Sequence, residues 1–170
     1  GCIAGLCKDK LPDAIIRVFS SIGISMPGYV IASGLMIFLA VNLKVLPVNY
    51  NKPGGWVMPM LTLAIYPTSY LTRLTRASIL EVMNQDYLRT ERAKGMSEFV
   101  VVFIHALKNS LIPVITYLGP LTASILTGGF VAESVFSVPG LGRYFVSSIS
   151  SRDYTMIMGV TIFYSALIVF

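Results

Sequence analysis

The run VFSSIGISMPGYVIASGLMIFLAVNL, from Val18 to Leu43, holds no Asp, Glu, Lys or Arg over 26 residues. A bilayer core of roughly 30 Å is crossed by about 20 helical residues at about 1.5 Å each, so this run is long enough to span. Working outward, three more charge-free runs follow, 53–72, 109–132 and 154–170, of 20, 24 and 17 residues. Hydrophobic residues make up 55% of the 170 and charged residues 12%, against about 25% charged in an ordinary soluble domain. A water-soluble globule does not fit these figures. The expected fold class is all-α, a polytopic transmembrane helix bundle with three full spans and parts of two more, forming one domain over 1–170. The chain opens at Gly1 without Met and stops at Phe170 inside an apolar run, and residues 1–7 read as the tail of an earlier span. Both ends are expected to be truncations.

From a span that ends near Cys7, strict alternation puts 8–17 and 73–108 on one side and 44–55 and 133–153 on the other. Lys8, Lys10, Arg17, Arg73, Arg76, Arg89, Arg92, Lys94 and Lys108 make nine basic residues on the first side, against Lys44, Lys52, Arg143 and Arg152 on the second. The positive-inside rule makes the first side cytoplasmic. This distribution accounts for the net charge of +5 without any nucleic-acid partner. Cys2 and Cys7 adjoin the same basic loop, where free thiols are expected in preference to a disulfide. Trp56 opens one run and Arg73 closes it seventeen residues later, roughly 26 Å along a helix, with an aromatic anchor at one interface and a snorkelling cation at the other.

The runs are interrupted by Pro27, Pro59, Pro67, Pro113, Pro120 and the pair Gly128-Gly129. Breaks of this kind persist in lipid where neighbouring groups satisfy the freed carbonyls, which makes them candidates for lining a pathway; Pro and Gly are also simply commoner in membrane helices. Gly119, Ala123 and Thr127 recur every four residues and form a small-residue face suited to close helix packing. Pro120, Ala123 and Thr127 are taken as candidates for a translocation path.

Residues 73–108 are too charged for the lipid interior and too patterned for a slack linker. Asp86 is expected to cap a two-turn helix over Tyr87–Lys94, with Arg92 and Lys94 near its negative end. Gly95 suits the left-handed position that ends such a helix. Ser97 is expected to cap a second helix beginning at Glu98 and running through Phe99-Val100-Val101-Val102-Phe103 back to the membrane.

This corner resembles the cytoplasmic signature of permease subunits of binding-protein-dependent ABC importers, Glu-Ala-Ala, three residues, Gly, nine residues, Ile-x-Leu-Pro. Only Gly95 and Leu107 match that general form. The chain is closer to the dipeptide and oligopeptide branch, whose version resembles Arg-Thr-Ala-Arg-Ala-Lys-Gly followed by His-Ala-Leu-Lys/Arg-Asn. Here the sequence is Arg89-Thr90-Glu91-Arg92-Ala93-Lys94-Gly95 and His105-Ala106-Leu107-Lys108-Asn109. Glu91 replaces the usual Ala and adds a negative charge to a contact surface. Similarity continues through Leu71–Ser78, Glu133–Arg143 and Arg152-Asp153-Tyr154.

The resemblance implies a permease of the bacterial cytoplasmic (inner) membrane that pairs with a second homologous permease. Two cytoplasmic ATPase subunits would drive it, and an extracytoplasmic binding protein would supply di- or oligopeptides. Within the family, nickel complexes, glutathione or another small solute are alternatives. The chain has no GxxxxGK[ST] loop, and no Gly is followed by Lys. It is therefore expected not to be an enzyme and to hold no cofactor, ATP and magnesium being bound by the partner ATPases. Within a coupling segment 84–105, the expected docking element is Tyr87, Leu88, Arg89, Thr90, Arg92, Lys94, Gly95 and Met96. It would carry ATPase closure through the glycine corner into the span after Lys108. An amphipathic helix resting on anionic membrane lipid is the competing reading.

On the other side, Pro139-Gly140-Leu141-Gly142 is a turn sequence. Glu133, Pro139 and Gly140 are candidates for an outer gate, a packed re-entrant turn being the alternative. Glu133 is expected to pair with Arg143 or cap a helix more readily than to neutralise a peptide amino terminus. His105 is the only His, which excludes a multi-His metal centre. Two readings from other classes are a membrane scaffold or receptor and an intramembrane enzyme using Thr62, Tyr66, Thr68, Ser69 and Tyr70. The enzyme would want a carboxylate, cation or metal ligand at mid-depth, and none lies between Lys52 and Arg73.

Overall fold

A computed structural model describes residues 1–126 and 129–169, the side chain of Leu126 excepted; Thr127, and with it one of the path candidates, lies outside them. Among the described residues the regular structure is helical throughout. The chain divides into two compact units, one formed by Gly1–Ser25 with Pro67–Gly119 and the other by Met26–Tyr66 with the chain from Pro120 onward. Two of the divisions fall at Pro67 and Pro120, each inside a helix.

The first unit opens with α1 (Cys2–Leu6) and α2 (Leu11–Ser25). It continues with the later part of α4 (Val57–Met83), then α5 (Asp86–Ala93) and α6 (Glu98–Val100). Next come a wider π-type turn over Val101–Ala106, α7 (Leu107–Ser110) and the start of α8 (Ile112–Leu126). Gly1 and Gly5, one turn apart, let α1 lie directly on α4, where an added Cβ would meet Thr75 at 2.6 Å and Ile79 at 2.8 Å. Asp13, with 0% exposure, is held by Arg76 from α4. The expected regular helix after Ser97 is instead three residues of α-helix followed by the π-type turn. Val100, Val101, Val102 and Ile104 are β-branched and crowd the tighter α turn.

The second unit holds α3 (Gly28–Leu35), a π-type segment over Met36–Asn42, the first part of α4, α9 (Phe130–Val135), α10 (Leu141–Ser151) and α11 (Tyr154–Val169). Its core is Ala32, Met58, Ala132 and Phe136, with Leu39, Leu46, Leu63 and Val138 packed around them. The run Val18–Leu43 is not one helix. α2 ends at Ser25, and Pro27, extended at φ −60° and ψ 142°, starts α3; proline lacks the amide that would continue the helix and pushes the residue before it out of the α region.

The stretch Glu98–Val135 is long and apolar enough to cross a membrane, and α2 with α3 and its π-type extension meets the same test as one broken span. The helix α4 has ample length at 27 residues. Thr62, Tyr66, Thr68, Ser69 and Thr72 leave it less apolar than these, and Thr62 turns its buried hydroxyl back onto the Met58 carbonyl at 2.9 Å. Exposed large apolar side chains are distributed along α2, α8 and α11, including Phe19, Ile115 and Ile162, as a chain solvated by lipid requires.

Candidate functional site

The glycine corner folds from local rules. At the end of α5 the Gly95 amide donates to the Arg92 carbonyl at 3.0 Å and the Met96 amide to the Glu91 carbonyl at 3.4 Å. This double closure is the Schellman motif, and it needs a left-handed residue, supplied by Gly95 at φ +83°. Nothing lies within 4 Å of where a Gly95 Cβ would stand, so glycine is required by φ alone. At the other end of α5 the cap position belongs to Gln85, with extended backbone; Asp86 is already helical. Its carboxylate instead faces Arg89 one turn on, at 3.4 Å. Ser97 occupies the expected cap of α6, but its side chain makes no capping hydrogen bond.

Three contacts brace the arms. Arg92 Nε donates to Glu98 Oε1 at 2.8 Å across the corner. Asn109 Nδ2 donates to the Tyr87 hydroxyl at 2.9 Å, tying the start of α5 to α7. Between them Leu88, Val101 and Ala106 form a small core with Val82 and Met83 of α4. Leu88, named above as part of a docking face, has 0% exposure and belongs to this core; an apolar side chain on the inner face of an amphipathic two-turn helix is buried by its own hairpin. Tyr87, Arg89, Thr90, Lys94 and Met96 are exposed, and Arg92 is half-buried. The charges shown to solvent are of both signs, with the side chains of Asp86 and Arg89 93% and 75% exposed and those of Glu98 and Lys94 67% and 59%. Glu91 is not on that outer face: its side chain is only 18% exposed, with Oε1 3.5 Å from Lys94 Nζ. Its Oε2 is enclosed with no hydrogen-bond donor among the described residues. Phe99 and Phe103 stack at 4.7 Å on the exposed side of the second arm.

The turn Pro139-Gly140-Leu141-Gly142 is organised by Glu133. Its Oε2 accepts the Arg143 amide at 3.1 Å, in the first turn of α10, so the carboxylate acts as the side-chain cap that Gly140 cannot provide. A Cβ on Gly140 would collide with this carboxylate, and one on Gly142 would meet Glu133 Oε2 at 2.9 Å and Phe130 at 2.7 Å. The Pro139-Gly140-Leu141-Gly142 turn therefore carries glycines because the Glu133 carboxylate occupies their side-chain space. The Arg143 guanidinium turns to the Ser137 carbonyl at 3.3 Å. Of the residues named for a path or gate, the structure brings Glu133 and Gly140 together, beside Pro139, and leaves Pro120 and Ala123 three residues apart on α8.

Sequence reasoning passed over Asp13, Glu98 as a partner for Arg92, and Asn109. A carboxylate set between Lys10 and Arg17, one helical turn before the latter, was the available signal for Asp13.

Comparison with known proteins matches residues 1–170 to the model of the binding-protein-dependent transport system inner membrane component family. The chain is 47% identical over 170 residues to the dipeptide transport system permease protein DppB of Bacillus subtilis, covering 99% of this chain and 55% of that protein. It is 37% identical over 175 residues to the oligopeptide transport system permease protein OppB of Haemophilus influenzae, covering 98% of this chain and 56% of that one. It is 38% identical over 166 residues to the glutathione transport system permease protein GsiC of Salmonella choleraesuis, covering 97% and 54%. The chain thus spans about half the length of the curated relatives it matches.

Proposed function

Since the chain belongs to the family of binding-protein-dependent transport system inner membrane components, we propose that it serves as part of the permease of an ATP-driven importer of di- or oligopeptides. The importer works by alternating access, with the hairpin Asp86–Ala106 as its coupling element. One observation carries the reading: the hairpin supports itself through its Schellman corner, its Arg92–Glu98 brace and its Leu88 core, yet holds Arg89, Lys94, Tyr87 and Met96 outward. A self-braced, outward-facing charged element on a chain without a phosphate-binding loop is suited to receive motion from a separate motor.

In this reading 73–108 faces the cytoplasm, in keeping with nine of thirteen basic residues falling on that side. Two ATPase subunits bind ATP and magnesium and dock on the hairpin, a homologous permease completes the pathway, and an external binding protein delivers substrate. The relative named for glutathione favours a second reading within the same class, in which the cargo is that small peptide. A peptide or glutathione needs no different hairpin, because selection rests with the binding protein.

The test is the full-length chain carrying Arg89→Cys, expressed with its ATPase and permease companions. Crosslinking of that cysteine to the ATPase and no reaction with an impermeant external thiol reagent are expected, together with ATP-dependent uptake of labelled dipeptide by the unaltered chain with the same companions. External labelling, or uptake by the chain without a nucleotide-hydrolysing companion, overturns the assignment.

A further inference from the structure

Asp13 is fully buried, and three parts of the first unit meet at its carboxylate. Arg76 of α4 grips it with two hydrogen bonds, Nε to Oδ1 at 2.6 Å and Nη2 to Oδ2 at 2.8 Å. The Asp9 amide donates to Oδ2 at 3.0 Å, which folds the loop before α2 back on itself and holds Asp9 in the left-handed region at φ +60°. Arg17, one turn along α2, brings its Nε within 3.7 Å of the same oxygen. A buried ion pair gains little stability, because desolvating both charges offsets their attraction. What it does supply is a single geometry: a two-pronged guanidinium contact fixes orientation as well as distance.

The place of Arg76 gives that geometry a mechanical meaning. Seven residues further, about 10 Å along the axis, α4 ends at Met83, and Val82 and Met83 pack into the hairpin core with Leu88. No Gly or Pro lies between Arg76 and Met83 to absorb a bend. The hairpin and Arg76 therefore move as one body, and Asp13 is where that body is fastened to α2. We propose that the Asp13–Arg76 pair is the joint that passes hairpin displacement to α2 and to the loop before it, a second route beside the one through Lys108 into α8. Both are positioning residues. The proposal rests on the coupling role proposed above for the hairpin.

The experiment measures substrate taken up per ATP hydrolysed by the complete importer in proteoliposomes, with Arg76→Lys, Asp13→Asn and the double variant Asp13→Asn/Arg76→Gln in the full-length chain. Arg76→Lys keeps the charge and loses the two-pronged contact; the double variant removes both charges and leaves none stranded. Each is expected to assemble with the ATPases and to hydrolyse ATP, while uptake per ATP falls roughly threefold to thirtyfold. Assembled variants with the unaltered ratio overturn the joint, and so does failure of all three to assemble, which would place the pair in assembly instead. If the unaltered importer itself shows no ATP-driven uptake, the functional reading fails, and that outcome is distinct from an unaltered importer that works and variants that match it.

Discussion

Arg92 and Glu98 face each other across the glycine corner at 2.8 Å, one from the last turn of α5 and the other from the first residue of α6. The pair spans the place where the chain reverses, so it restrains the angle between the arms while the Schellman closure sets the path of the backbone. It also places the acid at a helix start and the base at a helix end, where each is favoured by the helix dipole.

Both side chains of that pair are partly exposed, and such a contact contributes about 0.2–1 kcal/mol. Glu98→Gln should leave the global stability of the full-length protein unchanged within that range. Amide exchange at Gly95 and Met96 should speed up by at most roughly fivefold, an effect that vanishes at high salt. Exchange unaltered at low salt would show that the brace does not restrain the corner.

Gly95→Val should abolish uptake and leave membrane insertion intact, because a β-branched residue at φ +83° carries roughly 1–3 kcal/mol of strain. Open space around the Cβ position makes the conformation the only obstacle. Gly95→Asn, which tolerates the left-handed region, should therefore retain a substantial part of the activity. Equal loss in both variants would point to a contact with a partner in place of a backbone requirement.

Leu88→Ala and Arg89→Ala are neighbours with opposite expected signatures. The first empties a buried position and should cost about 2–5 kcal/mol of hairpin stability, seen as faster limited proteolysis between Asn84 and Asn109. The second, at an exposed residue, should change stability by less than about 0.5 kcal/mol. It should instead reduce co-purification of the ATPase subunits.

At the turn before α10, Glu133→Gln keeps an oxygen for the Arg143 amide and should be nearly silent in thermal unfolding. Glu133→Ala strips the cap from α10 and should cost about 0.5–2 kcal/mol. Gly140→Ala should resemble Glu133→Ala, since its methyl group displaces the same carboxylate. A stable Gly140→Ala with faster proteolysis only in Glu133→Ala would separate the two residues.

The membrane class, the helical fold and the corner at Gly95 were legible because each follows from local chemistry. A charge-free run is set by the dielectric of lipid, and a glycine ending a helix by the sterics of φ. Even the break at Pro27 was marked as an interruption, although the run around it was long enough for one helix. What tertiary structure alone decided is which polar groups meet. Asp13 and Arg76 are 63 residues apart and Tyr87 and Asn109 are 22 apart. Periodicity cannot state such pairings, because they depend on how separate helices pack. The burial of Leu88 was settled in the same way. A side chain's chemistry comes from its residue type, but its availability to a partner depends on what the fold has already laid against it.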